Sequence, residues 1–288
     1  MPKKSTPIQV VNWNVNLRVA DVLDKLKGLV EPDVLTLQEV RFSQRSAFEE
    51  RLGKMGLKCY PDSQRHTRGK IYGNLIASRW TIEPIKPRYS RDEPPWRELL
   101  VQASVSVDGR SFLVINVHIP NGSRYGWKKI DTFKALKEVV HKAKGKPCIV
   151  TGDFNEPQLI PLQDGAQFIP PQDGVRIVSF GQTWKKRDER FACRETRKSP
   201  SGHEWDRAVQ WLFEKPNEHG LCLAYWMAHG QGVMPVSHVT AGELRWFDHM
   251  FVSRHFHVER CDYDHRVRLG HRSDHSALGA RLKLDAQH

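Results

Sequence analysis

The 288-residue sequence predicts an α/β protein with mixed or mostly antiparallel sheets and helices packed outside them. Three observations predict it. Short β-branched runs ending in polar residues recur along the chain, two segments carry apolar residues at helical spacing, and hairpin signals outnumber strand–helix–strand crossovers.

Strands are predicted over residues 8–14, 33–40, 72–78, 99–107, 111–119, 147–153, 246–253 and 276–284. In the fourth, Leu99, Val101, Ala103, Val105 and Val107 alternate with Leu100, Gln102, Ser104 and Ser106. Asp108-Gly109 then supplies the tight turn into the fifth, which makes the two a hairpin. Val19, Val22, Leu23, Leu26, Leu29 and Val30 recur at helical spacing, as do Ile130, Phe133, Leu136, Val140 and Ala143. A third helix is predicted around residues 204–214, where Trp205, Ala208, Val209 and Leu212 share a face. With no internal repeat, low-complexity tract or linker, the reading is one domain over 1–288. It carries a variable insert at about 156–244 that opens Pro-rich and turns basic and aromatic, as in Trp184-Lys185-Lys186-Arg187.

Lys and Arg number 45 against 33 acidic residues, a formal charge of +12 and a pI near 9.6. That balance favours encounter with polyanions, whether nucleic acid or a phosphoinositide-bearing membrane surface. The five cysteines, Cys59, Cys148, Cys193, Cys222 and Cys261, are odd in number and lack a CxxC pair. They read as reduced thiols, which excludes a disulfide framework or a zinc site. The apolar run from Ile8 to Val11 is too short for a signal-peptide core, and no run approaches the roughly 20 residues a membrane-spanning helix needs. A soluble intracellular protein, monomeric by default, is expected.

Five motifs stand at strand ends, where side chains leave a rigid sheet and can converge. In Asn12-Trp13-Asn14-Val15-Asn16, period two puts the three asparagines on one face, and Asn14 offers an amide to phosphate and a carbonyl oxygen to a metal; the competing reading is a polar strand end starting a turn. Glu39, in Leu37-Gln38-Glu39-Val40, closes an apolar strand with the carboxylate a hard cation takes, although such a residue alone is ordinarily solvated. His118, in Asn116-Val117-His118-Ile119-Pro120-Asn121, reads equally as a proton shuttle or a structural histidine. Asp153 and Asn155 in Thr151-Gly152-Asp153-Phe154-Asn155 are two apart and suit orienting and deprotonating a water, or an Asx turn. The last motif is paired: Phe247-Asp248-His249-Met250 and Ser273-Asp274-His275. Adjacent Asp274 and His275 face different ways, so Asp248 is the candidate that orients His275.

In this order, the WN at Trp13-Asn14, the LQEV at 37–40, the NVHIPN at 116–121, the GDFN at 152–155, the FDHMFVS at 247–253 and the SDH at 273–275 resemble one superfamily. It is the endonuclease/exonuclease/phosphatase superfamily, which holds exonuclease III, pancreatic deoxyribonuclease, apurinic endonucleases, inositol-phosphate phosphatases, sphingomyelinases and tyrosyl-DNA phosphodiesterases. The resemblance spans Asn14 to His275. It implies a four-layered α/β sandwich, two packed mixed sheets flanked by helices, with the site at one end. It also implies Mg²⁺ or Mn²⁺ held by Glu39 with Asn14 and Asp274 nearby, water handled by Asp153 and Asn155, and His275, oriented by Asp248, on the scissile phosphate. His118 stands where members carry His or Tyr, and Arg97 resembles an arginine that some place near the phosphate. Asn16 departs from the Asp of the repair members. The expected activity is metal-dependent phosphodiester hydrolysis with nucleic acid, DNA first, as substrate. The alternatives are a phosphatase or phosphodiesterase on inositol phosphates or phospholipid head groups, and a non-catalytic nucleic-acid binder.

Overall fold

In the computed structural model, residues 6–26, 31–59, 71–156, 203–231, 235–240, 243–270 and 272–285 are described. The strands in chain order are β1 (Pro7–Asn14), β2 (Val34–Arg41), β3 (Lys58–Cys59), β4 (Tyr72–Ser78), β5 (Thr81–Ile85), β6 (Leu100–Val107), β7 (Arg110–His118), β8 (Cys148–Asp153), β9 (Leu221–Leu223), β10 (His238–Thr240), β11 (Glu243–Arg245), β12 (Asp248–Ser253), β13 (Phe256–Asp264) and β14 (Ala277–Leu284). All eight predicted strands are present, displaced by two residues at most. One sheet runs β13-β14-β1-β2-β4-β3 and the other β5-β6-β7-β8-β12-β9, while β10 and β11 form a separate ribbon. In each large sheet only the central pair, β1 with β2 and β7 with β8, is parallel. The predicted hairpin joins β6 to β7 through Asp108 and Gly109, both at positive φ (53° and 75°), as a two-residue turn matched to strand twist requires.

The two sheets face each other across Ile8, Val10, Val34 and Ile76 on one side and Val101, Ala103, Val114 and Ile149 on the other, all buried. On the outer face of the first sheet, Trp13, Leu35 and Leu37 meet Leu23 of a 3-10 helix (Ala20–Leu26) and Phe48 and Leu52 of α1 (Arg45–Lys54). Outside the second sheet, Ile115, Val117 and Val150 are covered by Ile130, Phe133 and Leu136 of α3 (Lys128–Ala143), which follows the single turn α2 (Gly122–Tyr125). Leu212 of α4 (His203–Glu214) completes that layer. Helix, sheet, sheet, helix make four layers, each alternation of side chains along a strand feeding two different cores.

Among the elements the sequence reading did not predict are β5, β13 and α1. β5 is an edge strand with Pro84 in it and no buried residue, so it lacks an apolar face to read. In β13 a register shift between Val258 and Arg260 breaks the alternation. α1 buries only Phe48 and Leu52, too thin a stripe to show as period 3.6. The helix predicted from Val19 forms as 3-10 backbone from Ala20, with Val19 itself exposed, and residues 27–30 lie outside the described residues. So do Cys193 and the basic-aromatic stretch from Trp184 to Lys198. Among the described residues no helix is long and apolar enough to cross a membrane.

Candidate active site

The strand registers bring the motif residues to one end of the sandwich. His118 on β7 pairs with Asp153 on β8, and Asp153 pairs with Asp248 on β12, so three functional side chains sit in one row across the second sheet. In the first sheet Asn14 ends β1 opposite Gln38 of β2. Period two holds through Asn12 and Asn14, both fully buried, and stops there, because Asn16 and Leu17 turn at φ 46° and 57°. Glu39 stands in a bulge where β2 slips against β4, at φ 59°, which takes its carboxylate out of the strand's alternation. Gly152 lets β8 run hard against β7, since a Cβ there would lie 1.8 Å from the Val117 carbonyl oxygen.

The side chains converge on Asp153. Asn14 Nδ2 donates to Asp153 Oδ2 at 2.9 Å and to Glu39 Oε1 at 3.4 Å, while Asn14 Oδ1 accepts the Asn16 N–H at 2.9 Å. His118 Nε2 lies 3.6 Å from Asp153 Oδ2 and 3.8 Å from Glu39 Oε1, and its ring stacks on Tyr72 with centroids 5.9 Å apart. Across from it, His275 Nε2 is 3.7 Å from Asp153 Oδ2. Both imidazole approaches are too long for hydrogen bonds and set the two Nε2 atoms beside the same carboxylate oxygen. His275 Nδ1 is held by Asp248 at 2.9 and 3.1 Å. Asp248 is itself fixed, its N–H bonded to Ser237 Oγ and its carbonyl to the Tyr263 hydroxyl.

Burial and charge split the protonation states. Burial pulls His275 down, but the negative charges of Asp248 and Asp153 and the bond to Asp248 outweigh it and carry the imidazole up to about 10. Burial raises the Asp153 carboxyl above its usual range; the His275 charge opposes this and Asp248 adds to it. At neutral pH His275 is a cation and Asp153 a carboxylate of raised basicity, the pairing that proton abstraction beside a developing anion requires.

Of the other predicted residues, Asn155 sits in the turn after β8 at φ 50°, with its N–H on Asp153 Oδ1 (2.9 Å) and its amide on the Ile119 carbonyl (3.0 Å). Asp274 faces His275 Nε2 at 3.8 Å and His238 Nε2 at 3.3 Å. Arg97 is exposed on a 3-10 turn and its guanidinium bonds Glu93. Sequence reasoning missed His238, which lies against His275 with ring centroids 4.3 Å apart, and Tyr72. It also missed Lys129 and Glu156, a fully buried ion pair behind the Asp153 turn. Local pattern carries no signal for a residue whose partner is a distant strand. A buried lysine in a helix reads as an ordinary solvated one.

The donor set fits a divalent cation. Glu39 and Asp153 crowd around one amide and one imidazole, an excess of hard carboxylate oxygens over positive charge. Glu39 would hold the ion; the expected contact through the Asn14 side-chain oxygen is not formed, because Asn14 turns its Nδ2 to Glu39 and its Oδ1 accepts the Asn16 N–H.

Fold and site together define a phosphoester hydrolase in which an Asp–His pair faces a carboxylate at the end of a double sheet. The sequence matches the Endonuclease/Exonuclease/phosphatase family over residues 11–275, and the chain belongs to that family. Its members are phosphoester hydrolases, whose nucleases generally use divalent metal ions, and the chain is a hydrolase of that class. Comparison with curated proteins finds no match. Among solved structures, the chain resembles the 3′ phosphatase NExo from Neisseria bound to product DNA hairpin, with 22% identity and a TM-score of 0.62 over 97% of this chain and 100% of that one. It also resembles an AP endonuclease from Archaeoglobus fulgidus, with 19% identity and a TM-score of 0.63 over 97% and 100%. A third likeness is to ANGEL2, a 2′,3′-cyclic phosphatase, with 17% identity and a TM-score of 0.61 over 98% and 97%. These likenesses establish the fold.

Proposed function

We propose that the protein is a Mg²⁺- or Mn²⁺-dependent nuclease that hydrolyses phosphodiester bonds, with DNA as its principal substrate. The observation that carries the reading is the convergence of the Nε2 atoms of His275 and His118 on Asp153 Oδ2, at 3.7 and 3.6 Å, which sets a protonated imidazole beside a basic carboxylate. A phosphoryl oxygen accepts from His275 Nε2–H. Asp153 takes the proton of the attacking water, and Asn14 holds Asp153 in place. His118 donates to a second phosphoryl oxygen, and Tyr72 buttresses its ring. Bound by Glu39, the metal ion supplies Lewis-acid neutralisation of the charge that builds on the phosphorus oxygens. The formal charge of +12 supports a polyanionic substrate, and two of the similar structures are named for DNA chemistry.

The test is turnover of wild type and Glu39→Gln with Mg²⁺, Mn²⁺ or EDTA on plasmid, single-stranded DNA, an abasic duplex, RNA and inositol phosphates. Expected is cleavage of a nucleic acid that EDTA abolishes and Glu39→Gln lowers by roughly 10³-fold, with binding that weakens steeply as salt rises. Turnover of small phosphates alone overturns the substrate assignment, and silence on the whole panel overturns the activity.

A further inference from the structure

We infer that Lys129 is a positioning residue that acts through the backbone of Asn155 to aim the Asp153 carboxylate. Lys129 lies in the first turn of α3 and is fully buried, as is Glu156. Its Nζ donates to the Asn155 carbonyl oxygen at 2.6 Å and lies 2.6 Å from Glu156 Oε1.

A buried ion pair is a poor device for stability, because the desolvation of both groups consumes most of their attraction and apolar residues of equal size pack as well. Its placement gives it another use. Asn155 is held at φ 50°, a backbone conformation that asparagine tolerates but does not seek. With its carbonyl drawn down onto Lys129, the Asn155 N–H turns back to Asp153 Oδ1 at 2.9 Å. That bond leaves Asp153 Oδ2 as the oxygen facing Asn14, His118 and His275. A second tie runs from the next residue, whose carbonyl oxygen is bonded by His249 Nε2 at 2.7 Å. Lys129 therefore fixes which oxygen of the carboxylate enters the site without touching substrate.

The inference rests on the proposed hydrolase reading for its kinetic arm and on geometry alone for its exchange arm. The variants are Lys129→Met/Glu156→Gln and Lys129→Met/Glu156→Leu, which remove both charges together, and Glu156→Gln alone, which leaves the Lys129 bond to the Asn155 carbonyl. In whichever double variant melts within a few degrees of wild type, kcat should fall about 30- to 100-fold with KM within threefold, as loss of an orienting contact does. Glu156→Gln should keep kcat within about threefold. Hydrogen exchange at the Asn155 amide should accelerate at least about tenfold in the double variants while Ile149 to Thr151 stay protected. A folded double variant with wild-type kcat, an equal loss in Glu156→Gln, or failure of both double variants to fold overturns the inference in favour of a purely structural pair. If wild type is silent on every phosphoester, the proposed activity fails separately, and an unchanged Asn155 exchange rate still overturns the positioning role.

Discussion

Replacing Asp248 with Asn keeps the shape of the His275 partner and removes its charge. Asp248 is fully buried and its carboxylate lies 2.9 Å from His275 Nδ1, so solvent does not screen the pair. At an effective dielectric near 20, unit charges centred about 4 Å apart interact by roughly 4 kcal/mol, which is about 3 pKa units. Subtracted from about 10, that leaves the imidazole of the variant at roughly 7. At pH 8 the wild-type ring is then almost wholly protonated and the variant ring about one-tenth so. If protonated His275 donates to the phosphoryl oxygen, the variant loses about tenfold in kcat at pH 8, and that loss is recovered on acidification. The assay is kcat between about pH 6 and 9.5 at saturating metal, beside an NMR titration of the His275 ring. A loss that is constant over the whole range, or a His275 ring in Asp248→Asn still titrating near its wild-type value, refutes the assignment of His275 as the charged donor.

His249 is buried among Phe154, Phe213 and Phe251, and burial, opposed by its bond to the Glu156 carbonyl and by the Asp248 charge, pushes it down to about 4. The unfolded chain therefore takes up this proton first, and about 3 kcal/mol of stability is lost as pH falls from about 6.5 to about 4. His249→Phe should be less stable at pH 7.5 by about 1–3 kcal/mol, from the orphaned carbonyl, yet flatter through that window in urea melts; an equally steep acid limb would count against it. Gly152→Ala should cost about 3 kcal/mol or more in the same melts, because its Cβ would lie 1.8 Å from backbone that has no rotamer to yield, and near-wild-type stability would show that β7 and β8 are not packed this closely. Asn14→Asp sets a third carboxylate beside Asp153, where the amide now donates at 2.9 Å, so the acid limb of kcat should move up by about one pH unit; an unmoved limb removes Asp153 from the role of base.

The strands were legible because two-sided burial leaves a strong mark: β4, β8 and β12 bury almost every residue, and each reads as an apolar run with a polar end. The hairpin at Asp108-Gly109 was legible for a different reason, since that turn needs two residues that tolerate positive φ. Glu39, Asp153, Asp248 and His275 could be nominated because the first two close such a run, the last two stand just before one, and their order resembles one superfamily. Their distances could not be read. Nothing local says that Asp248 and Asp153 are cross-strand partners, or that Glu39 leaves its strand through a bulge. Arg97, placed by resemblance, bonds Glu93 four residues earlier, an exposed contact of the kind that long charged side chains on short turns ordinarily make.

Two stacked apolar faces have little to say about how far one slides along the other, yet this site draws Asn14 and Glu39 from one sheet and His118, Asp153 and Asp248 from the other. The polar residues buried just behind it supply the missing register. Gln38 Nε2 on β2 donates at 2.7 Å both to Asn12 Oδ1 in its own sheet and to Asn116 Oδ1 in the opposite one. The Asn116 amide returns to the Leu37 and Leu75 carbonyls at 2.9 Å each, and Asn74 reaches across to the Leu99 carbonyl at 3.0 Å. Sliding the sheets by one residue would strand these groups without partners in a place water does not reach, a cost of about 1–3 kcal/mol for each. Gln38 precedes Glu39 and Asn116 lies two before His118, so the residues that lock the sheets together are one step removed from those that need the lock. The Gln in LQEV and the first Asn in NVHIPN therefore belong with Glu39 and His118 on physical grounds: they set the separation across which those two residues meet at 3.8 Å.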